Sequence, residues 1–222
     1  EANETTLTKT FDLRYRDEDV RPQIDAIWSK AYNTIASANS VLDNISGHDF
    51  AILPRIRGEA LTVRAFLHFD LLRLFAPNIE RGDEQAIPYV EHFSISPVER
   101  STVREVYERI VADLTEAYGL LRDAQPASGR TPEELYVSQY AAAALLARVC
   151  NWGGDHETAE RYALEALKGP FAFIREEQIK NLFLGYTART ECIWGLHAPD
   201  MYLDVRSRLY PCLLYTSPSP RD

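Results

Sequence analysis

Four charged side chains interrupt the most apolar stretch of the chain, and they are the first residues that could do chemistry. Arg64 and His68 are four residues apart and share one face of a helix. Asp70 and Arg73 lie one turn apart on the same helix. A histidine and a carboxylate beside two cations could form an acid–base site. Charges among core residues are normally paired, however, so we favour ion pairs that tie helices together.

Other patterns that carry chemistry are absent from the sequence. Glycoside hydrolysis needs two carboxylates, and no second carboxylate is placed by its spacing beside Glu59. The five histidines are scattered and form neither an HExxH motif nor a Glu-x-x-His pair. There is no glycine-rich phosphate loop, no nucleophile elbow and no CxxC pair among the three cysteines. We therefore predict no catalytic residue, no metal site and no cofactor.

The stretch that carries these charges is the central element of the predicted fold. Residues 57–75 read RGEALTVRAFLHFDLLRLF and contain neither Gly nor Pro from Glu59 to Phe75. Apolar residues go nearly all the way round the helix that this stretch forms, so its neighbours must cover it on every side. The helix is too short and too charged to cross a bilayer. We predict that it is the central helix of an all-α domain.

Apolar residues at steps of three and four predict amphipathic helices on both sides of the central one. The first covers residues 24–46 and ends near Gly47. Another begins after Thr102–Glu105, whose spacing is that of a capping box, and presents one apolar face from Val106 to Leu121. Residues 191–196 are less periodic and could form a short strand or an extended segment.

The last two predicted helices form a hairpin. Residues 135–151 follow a Thr-Pro-Glu-Glu start signal at 131–134 and precede a glycine pair at 153–154 that ends the helix. Asp155 then caps a helix that runs through Leu167. Its inward residues are predicted to be Ala159, Tyr162, Ala163 and Ala166. This pattern resembles one tetratricopeptide helix pair, so we predict stacked, tetratricopeptide-like helical hairpins with irregular loop regions.

Length, charge and the two ends set further limits. The chain has 222 residues and a net charge of −9, which argues against a nucleic-acid partner. We predict one helical domain over residues 1–211. Residues 212–222, CLLYTSPSPRD, differ in character from the rest, and we interpret them as a foreign, adapter-derived tail rather than a natural disordered one. Since residue 1 is Glu and the tail is interpreted as foreign, we expect the domain to be truncated at both ends.

Several short motifs occur in the order in which SusD-like (RagB/SusD) proteins carry them. They are W-x3-Y-x2-I-x2-AN-x2-L from Trp28, GEA-x3-RAF-x2-FDL-x-RLF from Gly58, IPYV from Ile87, DL-x2-A from Asp113, the helical segment 143–150, and E-x-IW from Glu191. The residues that carry most of the resemblance are Trp28, Tyr32, Asn39, Glu59, Arg64, Phe66, Phe69, Asp70 and Arg73. The chain thus resembles this family over most of its length, and the helix around Phe66 is the most specific part.

The resemblance implies capture without chemistry. SusD-like proteins are lipid-anchored on the outer face of the outer membrane of certain Gram-negative bacteria, and they are not enzymes. They bind oligosaccharide or, in some members, peptide nutrients, and they cover a TonB-dependent transporter of the SusC type. The resemblance therefore implies that this chain binds such a ligand and delivers it to a SusC-like transporter. The lipid-attached cysteine of the family is not seen near the N-terminus, and the family's chains are considerably longer.

Aromatic side chains in loop-like sequence are the candidates for contact with such a ligand. A glycan site needs exposed aromatic faces beside hydrogen-bonding groups. The aromatic residues that could provide them are Phe11, Tyr15, Tyr89, Phe93, Tyr202 and Tyr210. For each one separately, a role in covering the helical core is the favoured alternative. Trp28 and Trp152 lie on helical faces and are expected in the core, so the sequence alone does not select a site.

Two other functions remain open at this stage. A tetratricopeptide-like scaffold would bind protein tails in a groove lined with Asn, Lys and Arg on successive hairpins, which one recognisable repeat does not establish. An all-α glycoside-processing enzyme would need paired catalytic carboxylates. Binding of a glycan without turnover would favour capture over the enzyme.

Overall fold

A computed structural model describes residues 6–124, 135–175 and 191–196. Within these ranges the chain is helical, and its one bridge of β type pairs Gln85 with Thr102. The elements are α1 (Thr6–Phe11), α2 (Arg21–Ile45), α3 (Leu53–Phe75), a 3₁₀ turn (Ile79–Arg81), α4 (Val103–Asp123), α5 (Gln139–Gly153) and α6 (His156–Ala166). The prediction of an all-α fold of tetratricopeptide-like hairpins is confirmed.

The chain divides into two units. One comprises Glu1–Ile27 and Leu196–Asp222, and the other comprises Trp28–Gly195. The second unit contains α3 to α6 and most of α2, and the polar and aromatic clusters described below belong to it. The predicted domain over 1–211 and the predicted tail over 212–222 stay predictions, since the tail lies outside the described residues.

α2 and α3 run antiparallel. The rings of Trp28 and Phe75 meet at 5.0 Å at one end of the pair, and Leu42 and Leu61 belong to one buried cluster at the other. α3 begins at Leu53, four residues earlier than Arg57, where the predicted stretch begins. A proline in its first turn is compatible with this start, because the backbone N–H groups there have no partner within the helix.

α4 packs antiparallel on α3, and its start matches the capping box predicted at Thr102. The Thr102 hydroxyl accepts from the Glu105 N–H, and the Glu105 carboxylate accepts from the Thr102 N–H. The two helices approach closely at Gly58, where a Cβ atom would lie 2.7 Å from Leu121 Cγ and 3.2 Å from the Ala117 carbonyl oxygen. A glycine inside α3 therefore serves the packing of the two helices.

α5 and α6 form the predicted hairpin with two local corrections. α5 begins at Gln139, not at residue 135, because the Ser138 side chain caps it by accepting from the Ala141 N–H. Gly154, at φ 84°, ends α5, and Asp155 caps α6, both as predicted. The prediction of an inward Ala163 was wrong, since Ala163 is exposed while Ala159 and Ala166 are buried. The start signal at 131–134 lies outside the described residues.

The core is built around α3. Its buried apolar residues are Leu61, Ala65, Phe69, Leu71 and Leu72, and they pack with buried residues of α2, α4 and α5. Cover on every side of α3 was predicted, but Leu74 is 63% exposed near the C-terminal end. No helix in the described part of the chain is long and apolar enough to cross a membrane.

Residues 191–196 form a turn and bends, so a strand there is not found. The segment nevertheless contacts the central helix, because the ring of Trp194 meets that of Phe66 edge-on at 5.5 Å. Trp194 therefore packs against α3 although its segment has no regular secondary structure.

Candidate functional site

A buried ion pair joins the two central helices. Arg64 of α3 donates from Nε and Nη2 to the two carboxylate oxygens of Asp113 of α4, at 2.7 Å each. The third guanidinium nitrogen, Nη1, donates to the Asn39 side chain at 3.1 Å and to the Glu91 carbonyl at 2.9 Å. Burial lowers the pKa of Arg64, but its bonds with Asp113 outweigh this and the net pKa is raised. The contacts of Arg64 therefore fit the ion-pair interpretation.

Tyr89 completes the environment of Asp113. Its hydroxyl donates to Asp113 Oδ2 at 2.6 Å, and its ring stacks on His68 with centroids 4.0 Å apart. Burial and the neighbouring Asp113 charge raise the pKa of Tyr89 well above its usual value. The side chain is only 2% exposed, so Tyr89 lies in the core and presents no face to a ligand.

His68 is a neutral structural residue. Its Nε2 accepts from the Val90 N–H at 3.1 Å, which assigns the ring proton to Nδ1, and Nδ1 donates to the Arg64 carbonyl at 2.9 Å. Burial lowers the pKa of His68 to about 3. Both nitrogens are thus occupied and the ring is fully buried, so His68 is not placed to exchange protons with a ligand.

Three side chains of α2 hold an extended segment, residues 88–93, against this helix. Tyr32 donates to the Pro88 carbonyl, Asn39 donates to the Val90 carbonyl, and Asp43 accepts from the Phe93 N–H, each at 2.8 Å. Along α2, residues 32 to 43 rise about 16 Å at 1.5 Å per residue. Residues 88 to 93 also cover about 16 Å at 3.3 Å per residue. The segment therefore runs beside α2 in the same direction, toward the α2–α3 turn.

Residues 92–99 form a loop with exposed apolar side chains, and its first two residues are the last two of the anchored segment. Phe93 is 57% exposed and Ile95 is 98% exposed. The base of the loop is closed by two backbone bonds, Ala86 N–H to Ser101 O at 2.8 Å and Ser101 N–H to Ile87 O at 3.1 Å. The loop thus projects from a fixed base with its apolar residues directed to solvent.

Asp43 holds the first two residues of this loop. Its Oδ1 lies 2.8 Å from His92 Nδ1 and its Oδ2 accepts from the Phe93 N–H. The His92 side chain is 82% exposed, so its Nε2 can reach a ligand. The bonds from His92 and from the Phe93 N–H hold the pKa of Asp43 below its usual value.

The connection between α2 and α3, residues 46–52, carries a second exposed aromatic group. The rings of His48 and Phe50 stack with centroids 6.1 Å apart, and Phe50 is 64% exposed. This connection follows the last turn of α2, and Asp43 lies in that same last part of the helix. We call Asp43, His48, Phe50, His92 and Phe93 the end surface.

The remaining predicted contact aromatics do not join the end surface. Phe11 and Tyr15 are exposed but belong to the other unit of the chain. Tyr202 and Tyr210 lie outside the described residues. Of the four aromatic candidates that the structure describes, Phe93 is the one that is exposed and has its backbone N–H bonded to a side chain, that of Asp43.

The other motif residues have structural contacts. Glu59 pairs with Arg55 at 3.1 Å, and Asp70 pairs with Arg73 at 3.1 Å on the exposed side of α3. The aromatic contacts are those of Phe69 with Trp152, of Phe66 with Trp194, and of Trp28 with Tyr32 and Phe75. Trp28 and Trp152 are half-buried at the edge of the core. In the part of the chain that the structure describes, no three His, Cys, Asp or Glu side chains are grouped to bind a metal.

Four members of the end surface, Asp43, His48, Phe50 and His92, were not selected from the sequence. Asp43 and His92 are far apart in sequence, and a charge on a helix surface gives no signal that it will bind a distant loop. Phe50 had a signal, since it is a large apolar residue in a short connection directly after Gly47, between two strongly predicted helices. Its stacking on His48 was not predictable from spacing.

Comparison with known proteins agrees with this architecture. Residues 3–150 match a SusD-like family described as starch-binding and associating with the outer membrane. The SusD-like protein P2 of Formosa agariphila is 30% identical over 175 residues, which are 74% of this chain and 32% of that protein.

Solved structures match the fold over a similar region. A SusD superfamily protein of Bacteroides thetaiotaomicron has a TM-score of 0.68 and 27% identity, covering 78% of this chain and 39% of its own. A SusD-like carbohydrate-binding protein of Bacteroides vulgatus has a TM-score of 0.65 and 26% identity, covering 76% and 36%. The chain therefore spans about a third to two fifths of the length of these relatives. With two thirds of its residues matching the family, in the order and fold that the motifs predicted, this chain belongs to the SusD-like proteins.

Proposed function

We infer that this chain captures an oligosaccharide at the cell surface and does so without catalysis. The observation that carries this inference is the family match over residues 3–150, because that family is described as starch-binding and associating with the outer membrane. The relative from Bacteroides vulgatus is likewise titled a carbohydrate-binding protein. Carbohydrate binding is the function common to these descriptions.

The geometry suits capture. The central polar cluster is buried and its groups bond to one another, so it stabilises the scaffold and leaves little for chemistry. The exposed aromatic groups are held by short hydrogen bonds at the loop bases. A surface that is already ordered loses little conformational entropy when a ligand binds.

The proposed partner of this chain, which receives the captured ligand, is an outer-membrane transporter. A family that associates with the outer membrane and binds starch suits delivery to a TonB-dependent, SusC-like channel, with the protein lipid-anchored on the outer face. A peptide in place of an oligosaccharide is the alternative ligand, and a tetratricopeptide-like scaffold for protein tails is the alternative function.

The test combines binding and turnover on the 222-residue chain. Isothermal titration with maltoheptaose, laminarihexaose and trigalacturonate measures binding, and chromatography after prolonged incubation measures cleavage. Binding of at least one oligosaccharide with no shortened product supports capture. Shortened products would support the glycoside-processing enzyme. Binding of a peptide mixture but of no glycan would overturn oligosaccharide capture.

Delivery needs a separate experiment. The chain, expressed in one cell with a SusC-like transporter, should copurify with that transporter from detergent-solubilised outer membranes. A chain that never copurifies with this transporter, although both are present, would contradict the proposed partner while leaving glycan binding intact.

A further inference from the structure

We propose that the end surface is a contact site for a neutral oligosaccharide, with Phe93 and Phe50 packing on sugar rings. The proposal rests on the proposed function, because it locates the capture of a glycan on a particular part of the chain. No contact between this chain and a ligand is otherwise assigned.

Phe93 is exposed and yet positioned. More than half of its surface is open to solvent, while its backbone N–H is bonded to Asp43. An exposed phenylalanine without a binding role gains nothing from such anchoring, since its ring contributes little to the core. A ring on an anchored backbone offers an apolar face at reduced entropic cost, and the C–H face of a pyranose ring is apolar and complementary to it.

Polar groups lie beside the ring, as sugar hydroxyls require. His92 is bonded to Asp43 through Nδ1, so its exposed Nε2 is available to a hydroxyl group. Ser94 accepts from the Ser96 N–H at 3.0 Å, which orders the next part of the loop and places hydroxyl groups next to Phe93. The combination of an apolar ring with neutral hydrogen-bonding groups suits a carbohydrate.

The charges favour a neutral ligand over an acidic one. Residues 46–52 and 92–99 contain neither Lys nor Arg. Their acidic residues are Asp49 and Glu99, and both oxygens of the nearby Asp43 are already bonded. A uronic-acid polymer or a phosphate would find no Arg or Lys within these two connections, and Arg or Lys is what such groups require.

Phe50 lies at the same end of α2 and extends the surface. The anchored segment runs beside α2 from Tyr32 to Asp43, so the 92–99 loop reaches the end at which residues 46–52 leave the helix. Phe50 is exposed there with the His48 ring stacked on it. Two exposed aromatic groups at the same end of α2 offer two faces for packing on sugar rings, where a single ring offers one.

The experiment measures affinity for the oligosaccharide that binds the unaltered chain, with maltoheptaose as the first probe. Phe93→Ala and Phe50→Ala are each expected to weaken binding at least tenfold, and Phe93→Tyr to restore it. Phe173→Ala is the matched control, since Phe173 is 89% exposed on another loop and should leave affinity unchanged. All four variants should melt like the unaltered chain, because the replaced rings are exposed.

Asp43 is a positioning residue in this proposal. Asp43→Ala should weaken binding severalfold by releasing the Phe93 N–H. Asp43→Asn retains an acceptor for that N–H and should bind more tightly than the alanine variant. Equal affinities of the two variants would contradict this role for Asp43.

The outcomes separate the site from the function. If a neutral oligosaccharide binds and either phenylalanine variant binds equally well, the end surface is overturned as the site and oligosaccharide capture stands. If trigalacturonate alone binds, the neutral class is overturned. If no glycan binds the unaltered chain, the proposed function and this site fail together.

Discussion

Two carboxylates, Asp113 and Asp43, anchor the same short segment of chain at two places, and they differ mainly in burial. Asp113 receives bonds from Arg64 and from Tyr89 within the core, and its side chain is 12% exposed. Asp43 binds His92 and the Phe93 N–H at the surface, and its side chain is 35% exposed. Both use two oxygens to hold two partners.

The difference shows how burial changes the role of one kind of group. In the core, no water is available to replace a hydrogen bond that Asp113 or its partners lose. Folding therefore depends on the intact cluster. At the surface, water can replace each partner of Asp43, so this carboxylate affects the arrangement of a loop much more than the stability of the fold. The following predictions test this contrast.

Loss of the buried cation should have the largest effect. Arg64→Met leaves the Asp113 carboxylate without its charge partner and should lower the free energy of unfolding by about 3–5 kcal/mol. Urea denaturation of the chain measures this change. Arg73→Met is the control, since the Arg73–Asp70 pair is exposed and should cost less than about 1 kcal/mol. Equal losses in the two variants would contradict the contrast.

Acid should weaken the core through His68. Its pKa is about 3 in the folded chain against the ordinary 6.5, so below pH 6.5 the unfolded chain binds the proton more readily. Stability from this residue is complete above pH 6.5 and falls by about 1.4 kcal/mol per pH unit toward pH 3. Relative to His68→Gln, the unaltered chain should lose about 3 kcal/mol between pH 8 and 4.5. Parallel stability curves of the two proteins would refute this.

Removal of one hydroxyl should have a smaller effect in the core. Tyr89→Phe keeps the ring stacked on His68 but removes the donor to Asp113, and should lower the free energy of unfolding by about 1.5–3 kcal/mol. Thermal and urea unfolding measure it. Tyr32→Phe, which removes a bond to a neutral carbonyl, should cost about 0.5–1.5 kcal/mol. A larger loss for Tyr32→Phe than for Tyr89→Phe would mean that Asp113 does not depend on this hydroxyl.

Removal of the surface carboxylate should change stability least. Asp43→Ala should lower the free energy of unfolding by about 1 kcal/mol or less, because its partners are exposed to water. Backbone amide exchange should nevertheless become faster at Phe93, whose N–H loses its acceptor. An unchanged exchange rate at Phe93 would show that Asp43 does not hold the loop.

The helices could be predicted because their signals are local. The capping box at Thr102, the glycine at 154 and the cap at Asp155 each depend on residues within one or two turns. The predicted start of α5 at residue 135 was wrong, because Ser138 caps the helix in the structure. The Thr-Pro-Glu-Glu signal on which that prediction rested lies outside the described residues.

The pairing of side chains was harder to predict because it depends on distant residues. Arg64 was expected in an ion pair, but its partner is 49 positions away in sequence and was not identified. Tyr89 and Phe93 read alike as aromatic residues in a loop, yet one is buried and the other exposed. The difference arises where the segment leaves its contacts with α2 and α3. No local sequence pattern indicates at which residue these contacts end.

The closed base of the 92–99 loop makes the folding of the chain largely independent of the loop's own sequence, and so of its ligand preference. The bonds between Ser101 and residues 86 and 87, with the Asn39 bond to Val90, fix both sides of the loop without using its own side chains. Loops of other length or sequence could therefore be inserted between Glu91 and Arg100 at little cost to folding. The same frame would then accept new ligand preferences, and a directed library confined to these positions is a practical way to engineer them.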